Sequence, residues 1–115
     1  MKRIFLKSKI HGAFVTETNL DYEGSLTIDR DLMDKTDILP FEQVDVYNLA
    51  NGTRFTTYAI EGKRGSGTIC VNGAAAHLAK VGDRLIVACY ALFGKDDWKK
   101  RKPKIIRVNE KNRPV

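Results

Sequence analysis

Apolar and polar residues alternate along much of this chain with the period of two that marks a half-buried strand. Ser25-Leu26-Thr27-Ile28 alternates in this way just after Gly24, and Val44-Asp45-Val46-Tyr47-Asn48-Leu49 does so over a longer stretch. Asn51-Gly52 follows it, a pair that tolerates the positive φ of a tight hairpin, so residues 54–60 read as the return strand. Shorter strands are expected at 3–6, 13–16 and 68–71, the first two flanking Lys9-Ile10-His11-Gly12. Residues 84–92, entered through the turn Val81-Gly82-Asp83, form the longest apolar strand, and 105–108 add an edge strand before a frayed end. Helix is predicted twice: over 30–35, where Asp29 supplies an N-cap, and over 74–80, after an Asn72-Gly73 turn. Residues 61–67 read as a loop. Six or seven short strands with two helical insertions predict a mainly β protein, a small closed barrel, with neither repeats nor an internal linker.

Composition narrows the class. A chain of 115 residues makes one domain with a single core. A hydrophobic share of 43% with a mean hydropathy of −0.33 fits a soluble globular protein. No apolar run nears the roughly 18 residues that would cross a bilayer, and the apolar stretch behind Met1-Lys2-Arg3 is too short for a secretory signal. A cytoplasmic location without membrane contact is therefore expected. Cys70 and Cys89 lie in apolar strand-like runs and read as buried free thiols. With His11 and His77 as the only histidines, scattered from the cysteines, no metal site is expected.

The net charge of +6 is unevenly placed. Residues 1–93 hold 11 basic and 11 acidic side chains, whereas 94–115 hold 9 against 3. The excess centres on Lys99-Lys100-Arg101-Lys102-Pro103-Lys104 and reads as a solvated basic extension of a domain spanning 1–93. A nucleic-acid-binding barrel would carry its basic patch on the folded face, interleaved with aromatics. That reading, or a regulatory module using the basic segment, is the alternative, and the neutral 1–93 region counts against nucleic acid as a partner.

One set of motifs points to chemistry: Lys9, His11, Tyr22-Glu23-Gly24-Ser25, Arg54 with Thr57-Tyr58, and Asn72-Gly73-Ala74-Ala75-Ala76-His77. In this order and spacing they resemble the aspartate 1-decarboxylases, over most of 1–93 and with the likeness fading after about Phe93. The resemblance implies a double-psi β-barrel assembled as a homotetramer, with active sites between subunits. It implies that L-aspartate loses its α-carboxylate to give β-alanine for pantothenate synthesis. It also implies self-cleavage between Gly24 and Ser25 into a short β chain and a longer α chain, Ser25 becoming a pyruvoyl group that takes the substrate amine as a Schiff base. Whether a separate maturation factor takes part is open at this point.

The residue types suit these roles. Losing CO₂ at Cα leaves a carbanion that no ordinary side chain delocalises, so an electron sink is needed. The chain is short for a pyridoxal phosphate enzyme and lacks a recognisable site for that cofactor, whereas a ketone made from Ser25 needs none. Gly24 offers unusual backbone angles and no side chain to shield its carbonyl from the Ser25 hydroxyl. The resemblance assigns Thr57 to the oxyanion of that step and to substrate, and Tyr58 to proton donation; a phenol keeps its proton at neutral pH. Aspartate carries two carboxylates, which suits Arg54 as a fork and Lys9 as a point charge. A cation fixed on the departing α-carboxylate would stabilise the ground state, so the pair is expected to clamp the β-carboxylate. Asn72, Gly73, Ala74 and Ala75 resemble the family's substrate loop, whose backbone N–H groups open a short helix suited to an anion. His11, Tyr22 and Tyr47 are further candidates for the site, and Val81-Gly82-Asp83 resembles a structural turn of double-psi barrels.

Overall fold

The computed structural model describes all residues, 1–115. Its strands are β1 (Lys2–Phe14), β2 (Glu17–Asn19), β3 (Ser25–Asp29), β4 (Gln43–Asn48), β5 (Arg54–Gly62), β6 (Ile69–Asn72), β7 (Arg84–Gly94) and β8 (Lys104–Arg107). Two α-helices, α1 (Arg30–Lys35) and α2 (Lys95–Trp98), and a 3-10 turn over Gly73–His77 interrupt them. No helix is long and apolar enough to cross a membrane.

The sheet order is β2-β6-β3-β5-β4-β7-β1-β8. β1 and β2 are two halves of one extended run broken only at Val15-Thr16. The Val15 N–H donates to the Asp83 carbonyl ahead of β7, and the Thr16 N–H donates to Ile69 at the start of β6, both at 2.9 Å. The run therefore joins β7 on one side to β6 on the other, closing a ring of six that leaves β8 outside, parallel to β1. Closure removes the exposed ladder edges that would otherwise template aggregation. Inside the ring, side chains of β1, β3, β4, β5, β6 and β7 make one core, including Ile10, Leu26, Ile28, Val44, Val46, Ala59, Ile69, Val71, Leu85 and Val87.

Three local results differ from the sequence pattern. Residues 2–14 run as one strand because two bulges, at Lys7 and Gly12, absorb the irregular segment. Gly12 holds the second with φ +84°, and a Cβ there would lie 2.8 Å from an Arg84 guanidinium nitrogen. The helix expected over 74–80 stops at His77, because the Leu78 carbonyl is taken by Asn48 Nδ2 (3.0 Å), Asn51 Nδ2 (3.2 Å) and Thr53 Oγ1 (3.2 Å). The lysine-rich stretch is exposed and an edge strand follows it, both as expected, but the end of the chain returns to the barrel core instead of fraying. β8 pairs with β1 from Ser8 to His11, Val108 joins the core, and Asn112 is 1% exposed. Charge composition hid that return, since the anchors are one valine and one asparagine.

Helix α1 forms where Asp29 predicts it. The Asp29 carboxylate accepts from Asp31 N–H (2.9 Å) and also from Gly65 N–H (3.0 Å) and Gly67 N–H (2.8 Å). One buried carboxylate thus caps the helix and holds the 61–67 loop. Cys70 and Cys89 are free and buried.

Candidate active site

The Gly24–Ser25 peptide bond sits where an exposed loop enters the barrel: Gly24 is exposed and Ser25, the first residue of β3, is 1% exposed. Clefts open on both sides of it. One, of about 330 Å³, is lined by Tyr22, Glu23, Ser25, Phe41 and Tyr58 among others. A second, of about 400 Å³, has Gly24, Thr57, Tyr58, Ala74 and Ala75 in its wall. Tyr58 lines both, and its ring packs on Phe41 at 6.2 Å between centroids.

Backbone registers explain this gathering. β3 runs parallel to β5 and antiparallel to β6, so Ser25 faces Asn72 while β5 carries Thr57 and Tyr58 past the loop. Asn72 Nδ2 donates to Ser25 Oγ (3.0 Å), and Ser25 Oγ donates to the Glu23 carbonyl (3.3 Å). Gly73 then presses on the loop from behind. Its φ is +69°, and a Cβ there would lie 2.6 Å from Gly24 Cα and 2.7 Å from Gly24 N. The unusual backbone angle expected at Gly24 is found at Gly73 instead. Gly24 has no left-handed φ and open space where a Cβ would stand, so its freedom from a side chain serves access rather than strain.

Lys9, Arg54, His11 and Tyr47 form a second group, absent from the walls of both clefts. The pairings His11↔Ile86, Ile86↔Tyr47 and Tyr47↔Arg54 set three of them in one row across β1, β7, β4 and β5. The next row runs Lys9, Ala88, Asp45, Thr56. At about 4.8 Å between strands, the ends of a row lie about 14 Å apart, a span that long Lys and Arg side chains can close over a small anion. The Arg54 guanidinium leans inward over the Tyr47 ring, 4.4 Å from its centre. Tyr47 shares a 2.9 Å hydrogen bond with Tyr90, and that bond, with burial, pushes its phenol up to about 12. Burial, then the charges of Arg107, Lys9 and Arg84, hold His11 below its ordinary value, so the imidazole is neutral at physiological pH. Its Nδ1 is buried without a partner.

A family model described as aspartate decarboxylase matches residues 1–115. The chain belongs to the aspartate decarboxylase family. Among curated relatives named aspartate 1-decarboxylase, that of Thermoanaerobacter pseudethanolicus is 58% identical, over all of this chain and 98% of its own. Those of Kosmotoga olearia and Syntrophobacter fumaroxidans are 55% and 54% identical over the full chain and 98% and 93% of theirs. Similarity to the family does not fade after Phe93; it reaches residue 115, in keeping with the pairing of β8 and the burial of Val108 and Asn112.

Beyond the residues expected from family motifs, the structure adds four. Phe41 packs on Tyr58 and Tyr90 bonds Tyr47. Thr27 and Cys70 hold the Asn72 amide: Nδ2 donates to Thr27 Oγ1 (2.9 Å), and the Cys70 thiol donates to Oδ1 (3.1 Å). The last two had a signal in the sequence. Thr27 is two residues from Ser25 and Cys70 two from Asn72, so in strands each pair shares a face.

Proposed function

We propose that this protein decarboxylates L-aspartate at Cα to β-alanine, using a pyruvoyl group made from Ser25 by cleavage of its own Gly24–Ser25 bond. The observation carrying this reading is that bond: its carbonyl side is bare and exposed, its hydroxyl is buried and hydrogen-bonded, and Tyr58 borders the space on both sides. Membership of the aspartate decarboxylase family supports the substrate and the pantothenate pathway.

The residues around the bond fit such a group. Ser25 is the only hydroxyl in the cleft it shares with Tyr22, Glu23 and Tyr58 apart from the two phenols, and nothing at Gly24 fills the space beside it. Ser25 Oγ attacks the Gly24 carbonyl, the C–N bond breaks, and the hydroxyl proton passes to the nitrogen, leaving an ester. Thr57, in the cleft with Gly24, donates to the oxyanion that develops at that carbonyl. Elimination of the ester and hydrolysis with loss of ammonia complete the conversion. Once formed, the ketone supplies the electron sink that loss of CO₂ requires. Tyr58 then holds the proton returned to Cα. Ala74 and Ala75 leave room for substrate against the second cleft.

Arg54 and Lys9 are the natural clamp for the β-carboxylate, with Tyr47 as the surface on which the guanidinium rests. Their absence from the clefts around Gly24–Ser25 supports a homotetramer in which one subunit's cationic row faces the cleavage point of the next. The same outer sheet face exposes Ile4 (72%) and Leu92 (60%), apolar area that assembly would bury. A cytoplasmic location fits this metabolic role. The test uses L-aspartate labelled separately in each carboxylate: CO₂ from the α-labelled substrate alone supports the reading. No release, or release of the β-label, overturns it. L-Asparagine should lose most of its affinity; unchanged binding would sink the β-carboxylate assignment.

A further inference from the structure

We infer that Cys70 is a positioning residue for self-cleavage: its thiol fixes the Asn72 amide in the orientation that donates to the Ser25 nucleophile. The inference rests on the reading that Ser25 cleaves its own chain, and it concerns how the bond-breaking hydroxyl is prepared.

Four side chains form a square on the buried face of β3 and β6. Ser25 pairs with Asn72, and Thr27 pairs with Cys70. Cys70 is 4% exposed, Asn72 3% and Ser25 1%, so water does not supply missing partners. An amide in such a place can face either way. Turned as it is, Asn72 gives one N–H to Ser25 Oγ and one to Thr27 Oγ1, and its oxygen accepts from Cys70. Turned over, its oxygen would accept from both hydroxyls, and its NH₂ would face a sulfur, a weak acceptor. Cys70 is the group that separates these two states, because its one proton reaches the amide oxygen as found, whereas a turned amide would meet only a poorly accepting sulfur. Burial, and then Glu17 on the neighbouring strand, push the thiol up to about 11, so it keeps its proton and remains a donor at neutral pH.

The orientation matters to the reaction. When Oγ bonds to the Gly24 carbon and sheds its proton towards the Ser25 nitrogen, an N–H aimed at Oγ favours the less protonated oxygen. An amide oxygen at that place would instead hold the proton on the nucleophile. In the observed state the hydroxyl proton points to the Glu23 carbonyl, away from Asn72.

The test follows the appearance of the two chains by intact mass after rapid synthesis of the precursor, in wild type, Cys70→Ala and Cys70→Ser. Loss of a donor to a buried acceptor should slow Cys70→Ala by roughly ten-fold, and Cys70→Ser, which restores a donor, should stay within about three-fold of wild type. Equal rates for wild type and Cys70→Ala overturn the inference. So does equal slowing of both variants, which would mean that only the size of the side chain matters. If Cys70→Ala does not fold, Cys70→Val decides: it fills the space without a donor, and a wild-type rate overturns the inference. A wild-type chain that never cleaves overturns the parent reading itself, a result distinct from any difference among variants.

Discussion

Replacing Gly73 by alanine should damage the cleavage step more than the loss of a flexible glycine explains. Two costs add. The left-handed φ of +69° costs an L-residue about 1–2 kcal/mol. The new Cβ would also stand 2.6 Å from Gly24 Cα and 2.7 Å from Gly24 N, nearly an ångström inside ordinary contact. Both neighbours are backbone, so they cannot swing aside like a side-chain tip, and overpacking of this kind costs a further 1–3 kcal/mol, roughly. Gly82 is the control. Its φ is +92° but a Cβ there meets nothing within 4 Å, so Gly82→Ala bears only the first cost. At about 4 °C per kcal/mol for a domain of this size, Gly82→Ala should lower Tm by roughly 4–8 °C and Gly73→Ala by roughly 8–20 °C. Gly82→Ala should cleave as wild type does. Gly73→Ala should cleave slowly or stay whole even below its lowered Tm, because relief of the overlap must move Gly24. Thermal melts and intact mass of the same samples measure both effects. Equal melting of the two variants, with normal cleavage of Gly73→Ala, would refute the claim that Gly73 sets the loop.

Other outcomes follow from the same geometry. Asn112→Ala removes a side chain that accepts from Phe14 N–H (2.7 Å) and donates to the carbonyls of Phe14 (2.8 Å) and Gly67 (2.8 Å), and should cost about 3–4 kcal/mol by denaturant titration. A loss below about 1 kcal/mol would mean the C-terminal segment is not an anchor. Arg54→Lys keeps the charge but loses the fork and the planar contact with Tyr47, so KM for aspartate should rise about ten-fold while chain cleavage continues; an unchanged KM would remove Arg54 from the substrate clamp. His11 is held below its usual 6.5 in the folded chain, so the unfolded chain takes up the proton first. Its contribution is therefore intact above pH 6.5 and is lost as pH falls from there through the lowered folded value. Comparing denaturant midpoints at pH 8 and 5.5, the drop should be smaller in His11→Phe than in wild type; an equal drop would assign it to other groups.

Local pattern carried much of the fold. The alternation of 44–49, the Asn51-Gly52 turn and the Asp29 cap all lead to elements the structure contains, because each depends on neighbours within a few residues. Ring closure did not show, since it rests on two backbone hydrogen bonds of Val15 and Thr16 whose partners lie far along the chain. The docking of β8 was half visible as an apolar run, but its anchor, Asn112, is polar and carries no hydrophobic signal. For the site, motif resemblance supplied the residue set, and the structure divided it. Gly24, Ser25, Thr57, Tyr58, Ala74 and Ala75 meet at the clefts, while Lys9, His11, Tyr47 and Arg54 are spread over the outer sheet face. Spacing in sequence cannot make that division, because it depends on strand register around a closed ring.

If Ser25 becomes the reactive group of this enzyme by breaking its own chain, the intact mass of the purified protein must show it. Two chains are expected, one ending at Gly24 and one beginning at the former Ser25. The second should be lighter by one ammonia than a serine-terminated chain, closed to N-terminal sequencing, and shifted in mass by hydroxylamine. A single unmodified chain of 115 residues after long incubation, with aspartate nonetheless decarboxylated, would contradict it.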